Sequence, residues 1–62
     1  MEKYTIETCM EDGEINTQVH KGDVPIDPSS LRPPYDSIIR IHQEVIREAH
    51  LEEKITTTFD AP

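Results

Sequence analysis

Sixty-two residues suffice for one small domain, with hydrophobic residues at 34% and a single cysteine, Cys9. A chain this short buries about 60% of the surface its unfolded form exposes, and one cysteine excludes an intrachain disulfide, so extra support has to come from a partner subunit or a bound target. Thirteen acidic against six basic residues give a net charge of −7, which disfavours direct contact with nucleic acid or an anionic membrane.

The first element predicted is a β-hairpin over residues 3–21. Asp12-Gly13 is a favoured two-residue type I′ turn, and the residues on either side are rich in Thr, Ile, Val and Tyr. With that turn the register follows: Glu11 faces Glu14, Met10 faces Ile15, Thr8 faces Thr17, Ile6 faces Val19 and Tyr4 faces Lys21. Tyr4, Ile6, Met10, Ile15 and Val19 then share one sheet face, while Glu7, Cys9, Glu11, Glu14, Asn16, Gln18 and His20 share the other. Residues 22–33 hold Gly22 and several prolines and read as an ordered loop, with Val24, Ile26 and Leu31 available to lie over a core. Within it, Asp27 followed by Pro28 is an N-cap pair able to start one helical turn.

"RPPYDSIIRIHQEVIREAH" begins like a proline-domain ligand and continues as a helix. A P-P-x-Y ligand needs proline where Arg32 stands, so the helical reading is preferred: Pro34 in the first turn, Asp36 at the positive end of the dipole, and a helix over 34–54. Tyr35, Ile38, Ile39, Ile41, His42, Val45, Ile46 and Ala49 fill an arc of about 160° at 100° per residue, a face for packing on a sheet, with packing expected to end near Ala49. Residues 55–59, "ITTTF", alternate and predict a last strand with Ile55, Thr57 and Phe59 on one face. Its partner strand is left open, in the same chain or in a second copy. The architecture predicted is α+β: hairpin, proline-rich loop, one amphipathic helix packed on the sheet and a C-terminal third strand, ββαβ in a single domain.

Catalytic and metal chemistry find little to work with. In the predicted register Cys9 opposes Asn16 and His20 opposes Thr5, so the pair lacks the reach a nucleophile and its base need. No CxxC, HxxxH or HExxH is present, and Gly13 and Gly22 alone cannot build a phosphate-cradling loop, so neither catalysis nor a bound metal or cofactor is expected. His42, in the apolar arc, reads as a partly buried histidine with one ring nitrogen hydrogen-bonded to backbone, or as part of a subunit contact. No apolar run approaches a membrane span, and Met1 to Met10 lacks the basic start and apolar middle of a signal peptide. A cytoplasmic location is expected.

The carboxylates carry the functional expectation. Residues 1–30 hold seven acids and two bases, against six and four in 31–62. Glu7, Glu11, Asp12 and Glu14 form one row on the hairpin and Glu44, Glu48 and Glu52 another at i, i+4 spacing on the helix, with neighbours about 6 to 14 Å apart. Both rows are candidate partner-binding residues, the partner being a basic nucleic-acid-binding protein. Arg40, Arg47 and Lys54 accompany the helical glutamates, so that row also reads as a solvated, ion-paired face.

A small, acidic, single-cysteine chain of this order resembles the inhibitors that bacteriophages make against host nucleic-acid enzymes, including anti-CRISPR proteins and uracil-DNA glycosylase inhibitors. Tyr4 leading the first strand, the turn "EDGE" at 11–14 and His20-Lys21-Gly22 after the second strand are similar to features of the glycosylase inhibitors, over about twenty residues. The proline-rich loop has no counterpart there, and that family's aromatic contact residue has no match in this chain, so no binding residue is carried over. The resemblance implies a non-enzymatic inhibitor acting in the host cytoplasm, with nucleic-acid mimicry as the expected mode. The alternative is a structural or regulatory subunit that shares its apolar helix face in a homo- or hetero-oligomer, a homodimer included.

Overall fold

The computed structural model describes residues 2–61. It contains strands β1 (Glu2–Glu11), β2 (Glu14–Lys21) and β3 (Val24–Ile26), one turn of 3₁₀ helix (Pro28–Ser30), helix α1 (Asp36–Ala49) and strand β4 (Ile55–Ala61). The strands form one antiparallel sheet in the order β3-β2-β1-β4, and α1 packs on one face, giving a two-layer α+β fold. No helix among the described residues is long and apolar enough to cross a membrane.

The hairpin forms in the register its turn dictates. Tyr4 pairs with Lys21, Ile6 with Val19, Cys9 with Asn16 and Glu11 with Glu14, and both turn residues take positive φ, +50° at Asp12 and +79° at Gly13, as a type I′ turn requires. β4 joins the same chain's sheet along the free edge of β1, with Phe59 beside Tyr4, Thr57 beside Ile6 and Ile55 beside Thr8. Ile55, Thr57 and Phe59 therefore lie on the helix-facing side.

The segment 22–33 is more ordered than a loop. Gly22, at φ +63°, turns the chain so that Val24 pairs with Lys21 and Ile26 with Val19. Pro25 argues against a strand, but β3 is an edge strand, where alternate N–H groups have no ladder partner and a proline removes nothing. Asp27 caps the 3₁₀ turn as expected, its Oδ1 accepting from the Ser29 N–H at 3.0 Å. That hydrogen bond holds the Asp27 carboxyl below its usual range.

The helix is shorter than its apolar pattern suggests at both ends. Pro34 lies before the helix: the Tyr35 N–H bonds the Arg32 carbonyl at 2.9 Å across a cis Pro33–Pro34 bond, and Tyr35 is the N-cap. At the other end His50 adopts the left-handed conformation (φ +53°), and the Leu51 N–H bonds back to the Ile46 carbonyl at 3.2 Å. Helix to Lys54 would carry Glu52 and Glu53 onto the negative end of the dipole, which opposes it.

The core is narrow. Ile6, Val19 and Ile46 are its buried hydrophobic residues, accompanied by Thr8 and His42. Ile41 and Val45, on one side of the predicted arc, remain 53% and 42% exposed, so the arc is wider than the surface the sheet can cover, and Ala49, on the last turn, is exposed too.

Candidate partner-binding surface

Pleating sends Ile6 and Thr8 under the helix and leaves Glu7, Cys9 and Glu11 on the uncovered face. The hairpin acids are not equivalent there. Glu7 is 3.7 Å from the Lys54 ammonium in the connection to β4, and this is the one ion pair among the described residues. Glu11 accepts from the Asn16 amide at 3.3 Å and from the Cys9 thiol at 3.5 Å, which orients its carboxylate without neutralising it. Asp12 and Glu14 are exposed, as is Glu11. The tip of the hairpin therefore presents three carboxylates with no cation bound to them, Glu11 directly opposite Glu14.

The second row lies elsewhere. Glu44 and Glu48 are exposed on α1, the other layer of the molecule, and Glu52 falls beyond the end of the helix. The two rows thus sit on different elements, the hairpin acids on the sheet and Glu44 and Glu48 on the helix. The Cys9 and His20 pair is not assembled either: Cys9 stands beside Asn16 and His20 beside Thr5, about 13 Å apart along the sheet. Partial burial, and after it the Glu11 carboxylate, push the Cys9 thiol up, the wrong direction for a nucleophile. Among the described residues no three His, Cys, Asp or Glu side chains gather as a metal site would need.

His42 is 4% exposed and uses both ring nitrogens. Nδ1 lies 3.1 Å from the Thr8 hydroxyl and Nε2 2.6 Å from the Thr57 hydroxyl, while Thr8 also meets Thr17 at 3.3 Å. A neutral imidazole offers one donor and one acceptor, which two hydroxyls can match. Burial lowers the His42 pKa. The partners are therefore side chains of two strands, where the sequence suggested backbone or a subunit contact.

At the far end of the hairpin is a feature that sequence reasoning missed. Tyr4, Tyr35 and Phe59, all the aromatic residues of the chain, come together: Phe59 lies nearly parallel to Tyr35 (centroids 4.5 Å apart) and to Tyr4 (5.4 Å). The Lys21 ammonium is 6.0 Å from the Tyr4 ring centre. Beside the rings is a cleft of about 250 Å³ whose remaining lining comes from Ile26, Ser30, Leu31 and Arg32. The available signal was the inward parity of Tyr4 and Phe59, which becomes a contact only once β4 is placed beside β1.

No protein-family model matches this chain, and no curated protein or solved structure is detectably similar to it.

Proposed function

We propose that the protein is a non-enzymatic, phage-type inhibitor, anti-CRISPR-like in its mode of action, that blocks a basic nucleic-acid-binding protein of a host cell by nucleic-acid mimicry. The observation that carries this reading is the hairpin tip, where Glu11, Asp12 and Glu14 are exposed together without a bound cation. A groove shaped for phosphates supplies the lysines and arginines that such a tip lacks, and complementary charge of this kind speeds association and selects the partner. Glu7 contributes less because Lys54 already holds it, and Glu44, Glu48 and Glu52 remain outside the same contact. The site of action is the cytoplasm.

The test is charge reversal at the tip. Glu11→Lys with Glu14→Lys should weaken capture of the partner by at least about tenfold, flatten its salt dependence, and remove its competition with duplex DNA. Unchanged affinity and an unchanged salt slope would reject the electrostatic mechanism.

A second reading is favoured by Ile41 and Val45, exposed on α1, and by Met10 at 36%. These residues suit an apolar contact with another chain, as in a structural or regulatory subunit or a homodimer. That mode predicts binding that tolerates salt and melting that depends on concentration, and sedimentation equilibrium distinguishes it from a monomer with an acidic tip.

A further inference from the structure

The cleft at the base of the hairpin differs from the rest of the surface. In a chain with thirteen acidic residues, its lining contains no carboxylate. It consists of three aromatic residues, two of them tyrosines, with Ile26, Leu31, Ser30 and Arg32. Arg32 is exposed and forms no ion pair or side-chain hydrogen bond with another described residue, and the Tyr4 and Tyr35 hydroxyls make no such bond either. Unused donors beside stacked rings suit a ligand that is flat and anionic.

Size narrows the class. An apolar cavity of about 150 Å³ takes up benzene, so about 250 Å³ accommodates one ring with a charged substituent and excludes a dinucleotide cofactor. Arg32 supplies a planar fork of donors matched to a carboxylate or a phosphate. A cationic ligand fits less well, because Arg32 at the cleft and Lys21 over Tyr4 both repel it. We propose that this cleft binds a small aromatic anion, one flat ring bearing a carboxylate or a phosphate, with the ring against the Tyr35–Phe59 stack and the charge on Arg32.

The site is independent of the acidic tip. Tyr4 and Glu11 are about 23 Å apart along β1, so either surface can fail without the other. The chain has no tryptophan and both of its tyrosines line the cleft, so tyrosine fluorescence reports on the site directly. Four probes separate the contributions: benzoate, phenyl phosphate, benzamide as the ring without charge, and inorganic phosphate as the charge without a ring. Benzoate or phenyl phosphate should perturb the tyrosine signal and the amide resonances of Arg32 and Tyr35 with a Kd on the order of 1 mM or tighter. Benzamide and inorganic phosphate should bind at least about tenfold more weakly. Whichever of the two anions binds tighter identifies the ligand as carboxylate or phosphate.

Arg32→Gln, an exposed replacement that leaves the hairpin resonances in place, should reduce the tighter-binding anion to the level of benzamide, while Glu11→Lys with Glu14→Lys should leave the ligand's affinity at least as high. The proposal is overturned if benzamide binds as tightly as the better of the two anions, if Arg32→Gln binds that anion as the parent does, or if no probe perturbs the cleft resonances at ten times the expected Kd.

Discussion

The two faces of β1 place similar polar side chains in opposite circumstances. On the covered face Thr8 is fully buried and shares its hydroxyl with His42 and Thr17; on the uncovered face Thr5 and Cys9 are only partly buried, and Glu11 meets water. The alternation along the strand is the same, so the difference comes from the helix. Under α1 each polar atom needs a protein partner, and none of the buried side-chain polar atoms among the described residues lacks one. On the open face water serves that role, so charged side chains can stand there without a protein partner.

The largest expected effect comes from breaking the covered side. Thr57→Val keeps shape and removes the hydroxyl 2.6 Å from His42 Nε2, leaving a buried ring nitrogen unpaired at a cost of about 1–3 kcal/mol. That is a large share of the stability of a domain this small, and urea denaturation followed by circular dichroism measures it. Thr58→Val, one residue along and on the uncovered face, should change stability by less than about 0.5 kcal/mol. Equal losses from the two substitutions would show that the His42 network contributes nothing specific.

Acid should reveal the same contrast. Burial holds the His42 pKa below its ordinary 6.5, so as pH falls through 6.5 the unfolded chain takes up a proton before the folded chain does. Stability is therefore fully present above pH 6.5, declines as pH drops below it, and stops declining on this account once the folded pKa is passed. His42→Gln should remove that slope between pH 7 and 5, ahead of the carboxylate titrations. A slope unaltered by the substitution would place its origin elsewhere.

How much of this was legible depends on distance along the chain. The hairpin was readable to the residue because Asp12-Gly13 and the alternation on both sides of it demand one register. β4 was readable as a strand but not in its pairing, since "ITTTF" suits either edge of a sheet in either of two chains. β3 was hidden by Pro25, and the helix end by glutamates that continue the helical pattern past Ala49. The acidic tip was visible because its residues are neighbours in sequence. The cleft and the His42 network were not, because Tyr4, Tyr35 and Phe59, like Thr8, His42 and Thr57, come from three separate elements that the sequence alone does not bring together.

The smallest effect sharpens the functional side of the comparison. Glu7 and Lys54 form an ion pair on the uncovered face with side chains 28% and 55% exposed, so water and salt screen their attraction. Glu7→Gln should lower stability by less than about 0.5 kcal/mol, and by less still in 1 M salt. Lys54 lines one small cleft together with Glu7, Cys9 and Glu11, so its release from Glu7 frees a cation to turn toward Glu11 as well as removing an acid. If the tip engages a basic partner, Glu7→Gln should reduce partner affinity more than its small stability change accounts for, and adding Lys54→Gln should restore part of the loss. A Glu7→Gln chain that binds as the parent does would confine the contact to Glu11, Asp12 and Glu14.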